Sequence, residues 1–170
     1  VQIVNNYKKI SFDFGPTLLA YLEEKAPDVY RAVLAADQES QQAFSGHGSA
    51  LAQAYNHIIL PLANRRDKYT QVLWGIRDFE HRFGRKPEGM WLPETAVDLE
   101  ALDIMAKLGI RFTILAPHQA SRVRAIGSRG WRDVSGGRIH PTGAYMLRLP
   151  SRRQISLFFY DDPVSPAVAF

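Results

Sequence analysis

The sequence predicts an α/β domain built around a parallel sheet. Apolar runs of strand length alternate with helical patterns along the chain, and 46% of its 170 residues are apolar. Alternating strands and helices are typical of parallel sheets, and this apolar content is sufficient for a sizeable core. The chain contains no cysteine, which excludes disulfides, a cysteine nucleophile and thiolate metal sites.

The first elements predict a strand followed by two helices. Residues 7–14 alternate well enough for a short strand, and residues 18–22 suggest a short helix after it. Pro27 stands at a first helical position and predicts a second helix that ends near Ala43. Residues 44–49 contain two glycines and predict a loop.

The middle of the chain contains the clearest helical pattern. Residues 50–60 are apolar with few breakers, so a buried strand and a helical turn both remain open there. From Asp67 to Phe83 the apolar side chains recur at spacings of three and four residues, which indicates an amphipathic helix. Gly84 follows and is expected to end this helix.

Three further strands and one helix are predicted after Gly84. The strands cover residues 89–92, 111–115 and 155–160. Thr95 stands three residues before Asp98, which resembles a capping box and predicts a helix over residues 97–108.

Positive charge is concentrated in residues 117–153. This segment carries eight arginines and one acid, Asp133, whereas the rest of the chain has 13 basic and 16 acidic residues. We expect a basic loop or hairpin insertion whose arginines pack against acidic neighbours. Trp131 and Tyr145 would also suit a surface that follows a nucleic-acid backbone. Because no nucleic-acid-binding motif accompanies the charge, nucleic acid is not the expected partner.

Glu94 is the sharpest chemical feature of the sequence. It follows a short predicted strand, and the carboxyl ends of parallel strands are where α/β proteins place catalytic residues. Trp91 lies three residues earlier and offers an aromatic surface beside it. From the residues alone, both a chemical and a structural role stay open for Glu94. The chemical role is that of a nucleophile, a general base or a metal ligand. The structural role is to stabilise the N-terminus of the next helix.

Two other strand ends carry polar groups of the same kind. His118 follows the strand at residues 111–115, and Asp161 follows the strand at residues 155–160. If the strands are parallel, these residues and Glu94 lie at one edge of the sheet. His57 is flanked by apolar residues, where a lone histidine is usually part of the core. No two histidines have the i, i+4 spacing of a helical metal site.

Four stretches of the sequence carry a family pattern. They are FGPTLL at residues 14–19, YNHIILPL at 55–62, GMWLPE at 89–94 and FYDDPVS at 159–165. Together they resemble glycoside hydrolase family 57, and within it the bacterial α-amylase/α-mannosidase-like branch. They occur in the order of that family and span nearly the whole chain.

This resemblance implies an incomplete (β/α) barrel of seven strands and a retaining enzyme that acts on α-glucans by hydrolysis or glycosyl transfer. Glu94 matches the family's catalytic nucleophile, and His57 and Trp91 match positions at the sugar site. Asp161 matches a family aspartate of less defined role. With His118, which is added from its position at a strand end, these residues are the expected substrate-binding set. No cofactor or metal is expected.

The sequence also departs from the family pattern. It has no His-x-His pair like that of the family's first strand. The family's acid/base aspartate sits in an Asp-x-Glu-type block on a later strand, which we expect beyond residue 170. A retaining glycosidase needs two carboxylates about 5–5.5 Å apart. We therefore expect residues 1–170 to form a single partial catalytic-barrel domain that is inactive in isolation. The remainder of the parent chain is then its expected partner, together with the α-glucan.

Two other function classes remain as alternatives. Residues 11–16 resemble a block of metal-dependent polysaccharide deacetylases, although Phe14 replaces one metal-binding aspartate and the required histidine pair is absent. A non-catalytic module that binds glucan or nucleic acid is the other. No apolar run approaches the roughly 18 residues of a membrane span, so we expect no membrane partner and a cytoplasmic location.

Overall fold

The computed structural model describes residues 4–161 and 163–165. Strands and helices alternate through its first two thirds. These elements are β1 (Phe12–Asp13), α1 (Pro16–Lys25), α2 (Pro27–Ala43), β2 (Ala50–Gln53), α3 (Arg65–Phe83), β3 (Met90–Trp91), α4 (Leu99–Lys107) and β4 (Phe112–Leu115). Pro27 begins α2 as predicted, and Gly84 ends α3 in the left-handed conformation that glycine adopts freely.

The remaining strands follow β4. They are β5 (Arg122–Val123), β6 (Arg132–Asp133), β7 (Tyr145–Arg148) and β8 (Gln154–Phe159). Short 3₁₀ turns occupy Asn6–Lys8, Leu60–Leu62, Pro93–Thr95 and Pro117–Gln119.

The first four strands lie side by side in chain order. β1, β2 and β3 pair in parallel, and a parallel bridge between Gly89 and Phe112 leads from β3 to β4. β4 pairs in parallel with β8. The predicted parallel sheet is therefore confirmed for these five strands, and their carboxyl ends share one edge.

The arginine-rich segment adds antiparallel structure to this arrangement. β5 and β6 form a two-stranded ribbon, and β7 pairs antiparallel with β8 at the outer edge of the sheet. Residues 149–153 suffice to connect β7 to β8 because antiparallel neighbours need only a short turn.

Two local predictions are wrong, for identifiable reasons. Of the strand predicted at residues 7–14, only residues 12–13 form a strand. Tyr7 belongs instead to the 3₁₀ turn Asn6–Lys8, and its ring centroid lies 4.9 Å from that of Phe12. Thr95 does not cap α4: Asp98 is the N-cap and accepts a hydrogen bond of 2.7 Å from the amide of Ala101. Of the two structures left open for residues 50–60, the strand is present at Ala50–Gln53.

The core lies between the helices and the sheet. Its largest fully buried apolar side chains are Leu19, Leu60, Val72, Met90, Leu92, Met105, Val134 and Ile155. α3 packs very close to β2 at Gly75, where a Cβ atom would lie 2.0 Å from the carbonyl oxygen of Gln53. In the described part of the chain, no helix combines the length and apolar character needed to span a membrane.

Candidate active site

The carboxyl ends of β1, β2 and β3 place three polar or aromatic side chains at one edge of the sheet. Asp13 ends β1, where it pairs with Leu51 of β2, and Gln53 pairs with Trp91 at the ends of β2 and β3. Since all three strands are parallel, the loops that follow them converge at this edge. These loops carry the candidate catalytic groups.

Glu94 lies in a strained turn directly after β3. Glu94 and Thr95 both have a positive backbone φ, 51° and 53°, inside the 3₁₀ turn Pro93–Thr95. A β-branched residue such as Thr95 rarely adopts this region, and strain of this kind concentrates at functional sites. α4 begins only at Leu99, so Glu94 is outside its first turn and does not act on that helix end.

His57 reaches Glu94 from the loop after β2. Its Nε2 atom lies 3.3 Å from Oε1 of Glu94, and its Nδ1 atom lies 3.2 Å from Oε1 of Gln53. His57 also has a positive φ of 52°. The side chains of His57 and Glu94 are 59% and 63% exposed. Ion pairs this exposed contribute little to stability, so the contact suits a functional role better than a structural one.

Asp13 and Gln53 are site residues that sequence reasoning missed. Gln53 is only 6% exposed. Burial raises the pKa of Asp13, and the nearby His57 partly opposes this effect. The signal available in the sequence was their position: each is the final residue of a strand in the same parallel sheet.

A cavity of about 490 Å³ opens beside Glu94. This volume is within the range of about 300–1,000 Å³ that small-molecule sites usually have. Trp91 lines it, and so does Tyr160, which follows β8 and was not among the predicted residues. The cavity thus presents two aromatic side chains next to an exposed carboxylate. Its lining consists of Trp91, Glu94, Thr95, Ile114, Tyr160 and Ser165.

His118 and Asp161 lie at the predicted strand ends without contacting Glu94. His118 is exposed in the turn after β4, and its side chain neither lines this cavity nor forms a hydrogen bond with any residue in the ranges 4–161 and 163–165. Asp161 is exposed after β8, and its Oδ1 accepts a hydrogen bond of 3.4 Å from the amide of Val164. The structure therefore joins Glu94 to His57 directly, while substrate contacts by His118 and Asp161 stay predictions.

The described residues contain no cluster of three or more histidine, aspartate or glutamate side chains able to hold a metal ion. The chemistry that this arrangement offers is that of a carboxylate with an imidazole beside it.

The arginine-rich segment includes two ion pairs to acids. Arg138 lies 2.7 Å from Asp133 within the segment, and Arg153 lies 3.1 Å from Asp103 on α4. At the ribbon, the guanidinium of Arg124 stacks 4.9 Å from the ring of Trp131. Packing of arginines on acidic neighbours is thus present for these two side chains.

Comparison with known proteins identifies what the chain is similar to. Residues 8–170 match the family model of glycosyl hydrolase family 57. The chain is 26% identical over 106 residues to alpha-amylase 1 of Dictyoglomus thermophilum, an alignment that covers 62% of this chain and 15% of the amylase.

Solved structures share the fold. The 4-alpha-glucanotransferase from Thermococcus litoralis superposes with a TM-score of 0.65 at 18% identity, over 97% of this chain and 24% of that enzyme. A putative polysaccharide deacetylase from Mycobacterium smegmatis gives 0.57 at 14% identity, over 92% of this chain and 43% of that protein. At such identities the likeness concerns the fold alone. In each of these three comparisons, the chain covers less than half of the other protein's length.

Proposed function

Because the chain belongs to glycosyl hydrolase family 57, we propose that it carries the nucleophile side of a retaining active site for α-glucans, with Glu94 as the nucleophile. Within the family we propose the bacterial α-amylase/α-mannosidase-like branch. The five parallel strands then belong to an incomplete barrel of seven. The observation that carries the proposal is the contact between the strained, exposed Glu94 and His57 beside a cavity lined by Trp91 and Tyr160.

In the proposed reaction, an oxygen of the Glu94 carboxylate attacks the anomeric carbon of the sugar in the cavity. The bond from that carbon to the glycosidic oxygen breaks, and an acid protonates the departing oxygen. Water or a sugar hydroxyl then attacks the same carbon, releases Glu94 and gives its proton to the residue that acted as the acid. The two acceptors correspond to hydrolysis and to glycosyl transfer.

Trp91 and Tyr160 supply the apolar part of sugar binding in this proposal. Ligand sites combine aromatic walls with a few well-placed polar groups. Here Glu94 lines the cavity, and His57 lies against Glu94. His118 and Asp161 lie at neighbouring strand ends, where they would contact sugar units beyond the one that reacts.

We propose that the acid/base is supplied by another part of the protein. The three Asp-x-Glu tripeptides of the sequence, at residues 37–39, 78–80 and 98–100, lie within helices α2 and α3 and at the start of α4, and none directly follows a strand of the sheet. Asp13 is partly buried on β1, and Asp161 is engaged with the amide of Val164. The purified 170-residue chain should therefore show negligible hydrolysis of maltooligosaccharides. Robust turnover by this chain would show that the acid/base lies within these 170 residues, and the proposal would be wrong.

The central test uses the full-length protein with Glu94→Gln. Turnover of maltooligosaccharides should fall at least about a thousandfold, because the amide is a poor nucleophile. Glu24→Gln, at an exposed position on α1, is the control and should retain normal turnover. In parallel, a slowly hydrolysed fluoroglycoside should add one glycosyl unit to the peptide that contains Glu94. Near-normal turnover of the Glu94 variant overturns the assignment.

A further inference from the structure

The imidazole of His57 lies between two side chains that can each accept a hydrogen bond from it. Its Nε2 atom lies 3.3 Å from Oε1 of Glu94, and its Nδ1 atom lies 3.2 Å from Oε1 of Gln53. A neutral imidazole has a single N–H group, and its other nitrogen carries a lone pair. It can therefore donate to only one of these partners, and it must accept at the other nitrogen.

The chemistry of the two partners decides which nitrogen carries the proton. A carboxylate only accepts hydrogen bonds, whereas the amide of Gln53 has both an oxygen that accepts and an NH₂ group that donates. A half-turn of this amide presents its NH₂ group to Nδ1. With the proton on Nε2, His57 donates to Glu94 and accepts from Gln53, so all three groups are satisfied. With the proton on Nδ1, the lone pair of Nε2 would face the negative charge of Glu94.

The contact with His57 engages only one of the two oxygens of Glu94. Within residues 4–161 and 163–165, no group donates a hydrogen bond to the other oxygen, Oε2. Glu94 lines the cavity with Trp91 and Tyr160, so the free oxygen belongs to the group proposed to attack the sugar. Hydrogen bonds to charged groups are stronger than those between neutral groups. A donor on Oε1 therefore restricts rotation of the carboxylate.

We propose that His57 is a positioning residue for Glu94: its neutral ring is protonated on Nε2, donates a hydrogen bond to Oε1 and leaves Oε2 to attack the anomeric carbon. Oε2 forms the bond to that carbon, the electron pair of the broken bond goes to the glycosidic oxygen, and that oxygen takes its proton from the acid. The proton on Nε2 of His57 stays in place throughout. The attack by Oε2 rests on the proposed role of Glu94 as the nucleophile, whereas the position of the imidazole proton does not.

The position of the proton is tested by ¹⁵N NMR of the histidine rings in the 170-residue chain, in alkaline buffer where an ordinary imidazole is neutral. His81 is exposed on α3 and serves as the reference for an imidazole in water. In wild type, the fraction of His57 rings protonated on Nε2 should exceed that of His81. In Glu94→Ala, which lacks the carboxylate, this fraction should fall to the value of His81. A wild-type fraction equal to or below that of His81 overturns the proposal.

Kinetics of the full-length protein test the positioning role. His57→Leu removes the donor, and kcat for maltooligosaccharides should fall about tenfold or more with little change in KM, on the scale of one hydrogen bond to a charged group. His57→Gln brings an NH₂ group within reach of Glu94 and should recover most of the lost kcat. Labelling of the Glu94 peptide by the fluoroglycoside should slow in the same order. His81→Leu is the matched control and should retain normal turnover.

A rise in KM with unchanged kcat in His57→Leu would show that His57 binds the sugar instead of positioning Glu94. Equal kcat values in His57→Leu and His57→Gln would also contradict the proposal. If neither variant folds, the comparison of wild-type His57 with His81 by NMR decides the question. If Glu94→Gln keeps normal turnover while that comparison gives the expected result, Glu94 is not the nucleophile and the placement of the proton on Nε2 stands.

Discussion

The side-chain amide of Gln119 donates a hydrogen bond of 2.8 Å to the carbonyl oxygen of Thr95, the residue that follows Glu94. The oxygen of the same amide accepts a hydrogen bond of 2.7 Å from the backbone amide of Ala116. Gln119 thereby ties the turn after β4 to the strained turn after β3. A backbone with positive φ persists only when its surroundings hold it, and Gln119 is one of the groups that hold Glu94 in place.

Gln119→Ala should release this turn at modest cost to the fold. We expect the free energy of unfolding in urea to fall by about 1 kcal/mol, the usual contribution of a hydrogen bond. Hydrogen exchange at the amides of Thr95 and Ala96 should accelerate, because their hydrogen bonds to Leu92 and Pro93 depend on the same turn. Gln42→Ala, at an exposed position on α2, is the control. Unchanged exchange in the Gln119 variant would show that the turn is held by other contacts.

Much of the fold could be predicted from the sequence because local signals mark its helices. Pro27 and Gly84 begin α2 and end α3 as expected. The α4 boundary was missed because Thr95 and Asp98 are both acceptable caps by residue type, and the strained turn at Glu94 and Thr95 decides between them.

From the residues alone, the candidate site could be predicted only where one residue type at one strand end carries the information, and His57 entered only through the family resemblance. Glu94 and Trp91 follow from the β3 segment alone. The contact of Glu94 with His57 spans 37 residues and depends on the pairing of β2 with β3, which local patterns do not encode. Gln53 and Asp13 were missed because their importance comes from what lies beside them in the sheet.

Asp13→Asn should stabilise the protein at neutral pH. Burial raises the pKa of Asp13 above its ordinary value of 3.8, so the folded state takes up a proton more readily than the unfolded state. The free energy of unfolding therefore falls as the pH rises from the ordinary pKa of the carboxyl through the raised pKa that Asp13 has in the folded protein. At higher pH it stays at this lower level. Asparagine removes the buried charge.

Urea unfolding between pH 3 and 8 tests this prediction for Asp13. Asp13→Asn should exceed wild type in unfolding free energy at pH 7, and the difference should shrink as the pH falls toward the ordinary pKa of the carboxyl. Glu24→Gln, at an exposed carboxylate, should show no such pH-dependent gain. A loss of stability in Asp13→Asn at pH 7 would mean that attraction between Asp13 and His57 outweighs the burial penalty.

The opposite edge of the sheet depends on a buried ion pair between Asp37 and Arg85. Asp37 is 1% exposed and accepts hydrogen bonds of 2.8 and 2.7 Å from Nε and Nη2 of Arg85. Its Oδ1 also accepts one of 2.8 Å from the amide of Ala50 at the start of β2. Removing one partner of such a pair leaves the other charge buried and uncompensated.

We expect Asp37→Asn to lower the unfolding free energy by about 3–5 kcal/mol, measured by urea denaturation. Glu39→Gln removes the exposed pair between Lys8 and Glu39 and should cost less than about 1 kcal/mol. Equal effects of the two variants would show that burial of the Asp37 pair does not determine its contribution.

Gly75 links the packing of α3 to the geometry of the site. In the interior of a helix, replacing glycine by alanine normally stabilises by about 1 kcal/mol. At Gly75 the added Cβ would lie 2.0 Å from the carbonyl oxygen of Gln53, a distance that only a backbone shift can relieve. Gly75→Ala should therefore destabilise the chain by about 1–3 kcal/mol, the usual cost of overpacking, which reverses the sign that helix propensity predicts.

Because the displaced carbonyl belongs to Gln53, the same variant should alter the ¹⁵N signals of His57 while those of His81 stay unchanged. Gly130→Ala is the matched control, since the nearest atom to its added Cβ is the Ser128 hydroxyl oxygen at 3.9 Å; it should change stability by no more than about 0.5 kcal/mol. If Gly75→Ala instead raises stability and leaves His57 unperturbed, α3 can move away from β2 without disturbing Gln53, and the close packing of this helix does not position the site.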